Sequence, residues 1–309
     1  MFELVFLGTS ASAPSIKRGL SSLVVKHDEY RFMVDCGEGT QRQILKSGVG
    51  FKRLNHILLT HGHLDHILGL AGMLSTFMRW EAIEEVNIYG SRHTMDRVRD
   101  LIDGVVLRGT KPPMPLNMLE IKPGLIFQSK HFDIRAFPVD HRGSSSLGYR
   151  FTEKSHRPFL SEAAEALGVP NGPCRRDLVQ GLAITLDDGR VVRPEDVLGA
   201  ERQGVSLVVV GDVGKPEKLR EHVAGADVMV IESTYLSEDH EMADTFGHST
   251  AADVATLAAE AGVGKLILTH VSRRYRDDEI LAEARAIFPE TYLANDFDRF
   301  DVRKPEQED

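Results

Sequence analysis

Four potential metal ligands occur within six residues of the chain, in the run HGHLDH at positions 61–66. Consecutive residues point in different directions around a regular helix, so this spacing predicts a loop that curls around a metal ion, with Gly62 permitting close approach. Imidazole and carboxylate donors without cysteine sulfur favour Zn²⁺ and also permit Mn²⁺ or iron. A closed structural zinc site is the alternative, although such sites usually contain cysteine.

Three further candidate ligands lie at the predicted ends of other elements: His141 in the sequence VDH at 139–141, and Asp212 and His270, which each follow a predicted strand. A single histidine or aspartate beside a strand is more often a hydrogen-bonded structural residue, so each is a weak signal alone. Together with the clustered run they bring the donors to seven, which is more than one zinc ion needs and suits two. Two metal ions ~3.5 to 4 Å apart can lower the pKa of a bridging water and stabilise the attacking and leaving oxygens at phosphorus. We therefore expect a hydrolase in which Asp65 takes up the proton of the attacking water or orients that water.

His248 lies in the sequence FGHST at 246–250, directly before a predicted helix for which Ser249 and Thr250 are the expected caps. Amide groups at a helix N-terminus favour phosphate. A catalytic role and a helix-capping role are therefore both open for this histidine.

Short apolar runs bounded by glycine or charge predict strands, and helical periodicity predicts the segments between them. The predicted strands are 2–7, 20–26, 30–34, 55–60, 205–210, 227–231 and 265–269. The predicted helices are 38–46, 66–79, 91–102, 216–224, 249–261 and 277–287.

The sequence ILLTH at 57–61 recurs as LILTH at 266–270. Each copy comes after another predicted strand that is followed by an acid, Asp35 in the first half and Asp212 in the second. This repetition predicts two similar halves whose sheets pack face to face with helices outside, so that strand ends meet along one edge, where ligands bind. Residues 152–203 break the pattern and are predicted to be an insertion.

The composition is ordinary for a globular enzyme, with 309 residues of which 42% are hydrophobic and 27% charged. The chain has no apolar run of about 18 residues, so we expect no membrane span and no secretory leader. The expected location is therefore the cytoplasm. Because the net charge is −9, a nucleic-acid substrate would require a local basic patch. Cys36 and Cys174 are expected to be free and buried rather than paired.

A set of short motifs runs through nearly the whole chain in one order: FLGTS at 6–10, FMVDCGEGTQ at 32–41, THGHLDH at 60–66, GYR at 148–150, GD at 211–212, ESTY at 232–235, HST at 248–250 and LTHVS at 268–272. In this order they resemble the metallo-β-lactamase superfamily and, within it, the ribonuclease Z family of tRNA 3′-processing endonucleases. HxHxDH is typical of the superfamily, whereas DCGEGTQ and HST narrow the resemblance to the family. The resemblance implies an α/β metallo-β-lactamase fold, a four-layer αββα sandwich, as a single domain over 1–309 with an inserted flexible arm at approximately 152–185.

The resemblance also implies two Zn²⁺ ions per subunit, or another divalent metal such as Mn²⁺. One ion would be held by His61, His63 and His141, the other by Asp65, His66 and His270, with Asp212 as the bridge. The catalytic residues would be Asp65 and His248, the latter assisting the leaving oxygen.

The implied substrate is precursor tRNA, cleaved to leave a 3′-hydroxyl on the tRNA and a 5′-phosphate on the 3′ trailer, because water and not the ribose 2′-oxygen is expected to attack. The arm would grip the tRNA elbow, and family members are commonly homodimers. Candidate RNA contacts are Lys154, Arg157, Arg175 and Arg176 of the arm, together with Arg274. The chain departs from the family pattern at Arg18-Gly19, where Arg-Asn is common, and at Val213-Gly214, where Thr-Arg is common.

Three alternatives remain open at this point. A superfamily phosphodiesterase or arylsulfatase for small substrates would share the metal site and lack an RNA-gripping arm. A metal-binding or RNA-binding scaffold without activity would have no need of an aspartate among clustered histidines. A flavoprotein or persulfide oxygenase on the same fold is favoured only by the tolerance of iron for similar ligands.

Overall fold

A computed structural model describes residues 1–80 and 83–304. The chain forms two compact units. The small unit is Glu153–Gly204, and the large unit contains the segments before and after it. The large unit carries the predicted metal ligands.

The strands are β1 (Glu3–Gly8), β2 (Ser22–His27), β3 (Tyr30–Val34), β4 (His56–Leu58), β5 (Val86–Gly90), β6 (Leu116–Glu120), β7 (Gly124–Gln128), β8 (Phe132–His141), β9 (Ser144–Glu153), β10 (Ile184–Thr185), β11 (Val191–Val192), β12 (Ser206–Val209), β13 (Val228–Glu232), β14 (Lys265–Thr269), β15 (Thr291–Leu293) and β16 (Arg299–Asp301). They form two seven-stranded sheets, in the orders β16-β1-β2-β3-β4-β5-β6 and β15-β14-β13-β12-β9-β8-β7, and the small hairpin β10-β11.

The α-helices are α1 (Thr40–Ser47), α2 (Leu64–Ile67), α3 (Gly69–Trp80), α4 (Arg92–Leu101), α5 (Ser161–Ala166), α6 (Pro173–Val179), α7 (Pro194–Val197), α8 (Arg220–Val223), α9 (His240–Phe246), α10 (Ala251–Glu260) and α11 (Asp277–Ile287). A π-helix follows α4 at Ile102–Leu107, and short 3₁₀ helices lie at Pro216–Leu219 and Ser237–Asp239. In the described part of the chain, no helix has the length and apolar character that a bilayer span requires.

Three apolar cores stack the large unit into layers. The middle core lies between the sheets, where Phe6 and Phe32 of the first meet Tyr149 and Phe151 of the second. A second core joins the outer face of the first sheet to α1, α3 and α4, and a third joins the outer face of the second sheet to α10 and α11. Burying each such large side chain stabilises the fold by roughly 1.5 to 3 kcal/mol. This arrangement confirms the four-layer αββα sandwich.

Parallel strands bring their carboxyl ends to one edge of each sheet. Strands β3 to β6 are parallel, as are β12 to β15. The repeated Thr-His sequence ends β14 and follows β4, but its positions differ, because β4 lies directly beside β3 whereas β13 separates β14 from β12. The repeat therefore places similar residues at the same edge without placing them on equivalent strands.

Several local predictions need correction. The predicted loop at 61–66 is only half loop, since α2 begins at Leu64 and carries Asp65 and His66. The predicted helix at 216–224 is a 3₁₀ turn followed by the short α8. Strands β5 to β11, β15 and β16 were not predicted. Both cysteines are free, but Cys174 is only partly buried. The charged run KPEQED at 304–309 predicts a solvated tail, and its residues after Lys304 fall outside the described part of the chain.

The small unit has a core of its own, made of five buried apolar side chains, Ala164, Val169, Leu178, Val192 and Val197. Helices α5 to α7 and the β10-β11 hairpin surround it. Its bounds extend beyond the predicted arm at 152–185 and nearly coincide with the predicted insertion at 152–203.

Candidate metal centre

The seven predicted ligands come from five places in the large unit and meet at the shared sheet edge. His61 and His63 lie between β4 and α2, and the other five lie on α2 (Asp65 and His66), at the end of β8 (His141), after β12 (Asp212) and after β14 (His270). Their ligand atoms fall into two sets, each within 4.8 Å: His61, His63, His141 and Asp212, then Asp65, His66 and His270. A third set combines Asp212, His248 and His270.

The Asp212 carboxylate lies between the two histidine sets. Its Oδ2 is 3.6 Å from His61 Nε2 and 3.8 Å from His141 Nε2. Its Oδ1 is 3.3 Å from His66 Nε2 and 3.4 Å from His270 Nε2. Because each oxygen faces one set and Asp212 is only 3% exposed, the residue has the geometry of a bridging ligand.

Several buried polar atoms at this point have no hydrogen-bond partner among the described residues: His61 Nε2, His66 Nε2, His270 Nε2 and Asp212 Oδ1. Leaving one buried polar group unpaired costs about 1 to 3 kcal/mol, so four unpaired atoms in one cluster call for another partner. Neutral imidazole nitrogen and carboxylate oxygen are donors that zinc and related divalent metals accept. The residues therefore fit divalent metal ions.

In the first half, Asp35 and Thr60 hold two of these histidines. The Asp35 carboxylate accepts hydrogen bonds from His66 Nδ1 at 2.7 Å and from the Thr60 amide and hydroxyl, each at 2.8 Å. The Thr60 hydroxyl is in turn 3.1 Å from His61 Nδ1. With Nδ1 engaged in both rings, Nε2 is left for a metal ion.

The second half uses Glu232 and Thr234 in the same way. Glu232 is fully buried and accepts hydrogen bonds from His248 Nδ1 at 2.8 Å, from the Val213 amide at 2.7 Å and from the Thr234 hydroxyl. That hydroxyl is 3.1 Å from His270 Nδ1. Glu232 thus supports a predicted ligand, a predicted catalytic residue and the backbone next to Asp212.

Two more hydrogen bonds orient side chains of the site. His141 Nδ1 donates to the Gly247 carbonyl at 2.6 Å. The Ser12 amide donates to Asp65 Oδ2 at 3.0 Å, and the same oxygen lies 3.5 Å from His270 Nε2. Asp65 is therefore held on the solvent side of its set by the loop that follows β1.

Burial and mutual repulsion separate the pKa values of the histidines. Burial, together with the neighbouring histidines, lowers the pKa of His61 well below its usual range and that of His63 to about 4. Burial opposes charge on His66 too, but Asp212 and Asp35 raise its pKa well above the usual range. For His248, burial is likewise outweighed by Glu232, which raises the pKa to about 9. Metal ions must displace the protons held in this cluster.

The predicted RNA contacts have varied surroundings. In the small unit, Arg157 donates to the Leu198 and Gly199 carbonyls, Arg175 donates to the Val169 carbonyl, Arg176 is exposed and Lys154 is partly buried. In the large unit, Arg274 lies 3.5 Å from an Asp239 carboxylate oxygen. None of the five belongs to the ligand sets among the described residues.

The two departures from the family pattern occupy structural positions. Arg18 is 9% exposed and donates to Thr9, Asn295 and other acceptors nearby. The Gly214 amide donates to the Asp140 carbonyl at 2.8 Å.

The sequence prediction did not assign a function to Asp35 or Glu232. Their signal was present, since an acid stands at the end of an apolar strand in both FMVD at 32–35 and VMVIE at 228–232. A buried acid requires hydrogen-bond partners, and here those partners are the site histidines.

Comparison with known proteins agrees with this geometry. A family model described as "Anti-Pycsar protein Apyc1" matches residues 2–161, and one described as "Beta-lactamase superfamily domain" matches residues 177–271. The ribonuclease Z of Bradyrhizobium sp. (strain ORS 278) is 49% identical over 302 residues, which cover 98% of this chain and 100% of the relative. The ribonuclease Z of Geobacillus kaustophilus (strain HTA426) is 37% identical over 308 residues, which cover 97% of this chain and 99% of the relative.

Among solved structures, the short form of human tRNase Z superposes with a TM-score of 0.67 at 24% identity and covers 97% of this chain and 99% of that one. This likeness supports the fold, and the curated relatives establish the family over the full length. The chain belongs to the ribonuclease Z family, metal-dependent endoribonucleases of the metallo-β-lactamase superfamily.

Proposed function

We propose that this chain removes the 3′ trailer of precursor tRNA by hydrolysis with two zinc ions, leaving a 3′-hydroxyl on the tRNA and a 5′-phosphate on the trailer. The observation that carries the proposal is the Asp212 carboxylate, which presents one oxygen to each of two histidine sets. Relatives named ribonuclease Z that match at full length support the choice of substrate.

Two ions would be held by His61, His63 and His141 on one side and by Asp65, His66 and His270 on the other, with Asp212 shared. When bound, such ions supply Lewis acidity at phosphorus and lower the pKa of the attacking water. Mn²⁺ could replace zinc, because the donors are nitrogen and oxygen only.

The side chains of the chain then orient the reaction. The Asp65 carboxylate, fixed by the Ser12 amide, accepts a hydrogen bond from the attacking water and orients it or takes its proton. His248 donates through Nε2 to the leaving 3′-oxygen, because its Nδ1 is engaged by Glu232. Asp65 and His248 are accordingly the two catalytic residues of the proposal.

The small unit, including the predicted arm at 152–185, would grip the tRNA elbow. It has seven Lys and Arg residues against nine Asp and Glu residues, so any attraction to RNA must come from a local patch rather than from its net charge. Arg176 is the most available of the four predicted contacts, because Arg157 and Arg175 already donate to carbonyls within the unit.

The chain offers a clean way to test this unit. Thr152 and Ser206 are paired across β9 and β12, so an Asn-Gly turn that replaces residues 153–205 can join the two strands directly. The shortened protein should bind its metals and hydrolyse bis-p-nitrophenyl phosphate but lose cleavage of precursor tRNA. Equal loss of both activities at unchanged metal content would contradict a role in gripping RNA.

Incubation of the full chain with one precursor tRNA tests the reaction itself. We expect a single cut at the trailer junction with the end groups stated above, and two zinc ions per chain by metal analysis. A 2′,3′-cyclic phosphate on the tRNA would exclude attack by water. We also propose a cytoplasmic homodimer, for which sedimentation should give twice the 34.3 kDa chain mass.

A further inference from the structure

Arg142 forms part of the tight turn between β8 and β9, immediately after the predicted ligand His141. Its φ is +47° and that of Gly143 is +69°, as in a type I′ hairpin turn. Asn-Gly is the favoured pair in such turns, and a long side chain at positive φ is strained. The turn thus carries an arginine where local backbone energetics favour asparagine.

The stem of Arg142 crosses the loop that bears His248. A Cβ added to Gly247 would fall 2.5 Å from Arg142 Cγ, so the arginine stem lies directly against that glycine. Gly247 precedes His248, and its carbonyl accepts the hydrogen bond from His141. Arg142 therefore adjoins a predicted metal ligand on one side and the predicted proton donor on the other.

The charge of Arg142 is exposed and uncompensated. Among the described residues no carboxylate forms an ion pair with it, whereas Arg18, Arg274 and Arg276 each pair with an aspartate. A solvated guanidinium without a carboxylate partner is available to a phosphate group, which it can bind with two hydrogen bonds.

We propose that Arg142 is a substrate-binding residue that contacts a backbone phosphate of the RNA next to the bond that is cleaved. This inference rests on the proposed function. A phosphate held there would lie beside the loop that carries His248, so the contact would set the register of the strand relative to the proton donor. The asparagine that the turn favours could not supply the charge.

The test uses the fact that the turn favours asparagine at position 142, whereas the proposed phosphate contact requires a positive charge there. Arg142→Asn restores the favoured Asn-Gly turn, so the melting temperature should stay constant or rise while binding of precursor tRNA weakens. The plot of log affinity against log salt concentration should become shallower by about 0.7 to 0.9, the contribution of one phosphate contact. Arg142→Lys, which keeps the charge, should retain the wild-type slope.

Arg108→Asn is the matched control. Arg108 is also exposed, has φ +45° and precedes a glycine at positive φ, but it follows the π-helix of the outer layer. This variant should leave the affinity and the salt slope unchanged. If Arg142→Asn keeps the wild-type slope while the wild-type protein binds and cleaves precursor tRNA, the contact is refuted and the proposed function stands. If the wild-type protein neither binds nor cleaves precursor tRNA, both fail.

Discussion

Each half of the large unit supports the site with a buried acid and a threonine that hydrogen-bond two histidine rings. The predicted roles of those histidines differ between the halves. In the first half, Asp35 and Thr60 orient His61 and His66, which are both predicted ligands. In the second half, Glu232 and Thr234 orient His270, a predicted ligand, and His248, which is predicted to donate a proton.

With the predicted roles, one supporting arrangement serves metal binding in the first half and both binding and catalysis in the second. A buried acid and a threonine fix Nδ1 of two rings in either case. The predicted role of the free Nε2, metal binding or proton donation, then depends on whether the ring lies inside the ligand cluster or at its more exposed edge. Ring exposure follows this division, since the side chain of His66 is fully buried whereas that of His248 is 10% exposed.

The largest effect is expected from Asp212→Asn, because this residue serves both halves. An amide lacks the charge that two cations require, so both ions should be lost and hydrolysis should fall by about 10³-fold or more. Metal analysis and turnover of a small diester measure the two effects. Asp140→Asn, which changes a partly exposed carboxylate that pairs with Lys218, is the control and should keep its metal. Retention of one tightly bound ion by Asp212→Asn would show that the halves bind metal independently.

A second substitution tests whether His248 is a proton donor and not a metal ligand. His248→Ala should keep its metal ions but lower kcat for precursor tRNA by about 10²- to 10⁴-fold, the range for a lost general acid. Steady-state kinetics with metal analysis of the same preparation provide the measurement. Loss of an ion would place His248 among the ligands, as the third set of ligand atoms would permit.

Asp35→Asn tests the supporting device of the first half. The amide cannot accept all three hydrogen bonds of the carboxylate, so metal affinity should fall by about 10- to 100-fold. Asparagine tolerates the left-handed backbone at this position, where φ is +58°, so the fold should persist. Competition with a chelator measures the affinity. Asp28→Asn, at φ +49° in the turn between β2 and β3, should change nothing.

The smallest expected effect is the pH dependence of stability that the Glu232–His248 pair of the second half contributes. Glu232 raises the pKa of His248 from 6.5 to about 9 in the metal-free protein. A raised folded-state pKa stabilises the fold fully below pH 6.5 and ceases to do so as the pH rises through about 9. The free energy of unfolding of the metal-free wild type should therefore exceed that of Glu232→Gln by less above pH 9 than below pH 6.5. Urea unfolding of both proteins at several pH values gives the comparison. A difference in the free energy of unfolding that does not change with pH would argue against the His248–Glu232 ion pair.

Much of the site could be predicted because metal chemistry restricts residue types so strongly. Four ligands in one short run are recognisable alone, and Asp212 and His270 are candidates because each follows a predicted strand. His141 ends β8, a strand that the sequence pattern did not predict. The convergence of these ligands depends on strand order, which a single sequence does not encode locally. The strand β13 between β12 and β14 is an example, since the repeated Thr-His sequence suggested equivalent positions that the sheets do not provide.

The missed strands have local reasons. Strand β8 contains Pro138, and proline argues against a strand inside a sheet. Strand β9 begins with three serines and contains Gly148, both of which suggest a turn. The structure explains this glycine, because a Cβ there would fall 2.4 Å from the Phe137 ring. Tertiary packing of this kind overrides local propensity.

Strand β16 pairs with β1, so the first strand of the chain obtains its outer neighbour from residues near 300. During synthesis on a ribosome, the edge of the first sheet must wait until the residues of β16 have emerged. His270 also arrives late, and one ligand set stays incomplete until then. A nascent chain would therefore acquire its full complement of metal, and with it any nuclease activity, only after residue 270 has left the translation machinery.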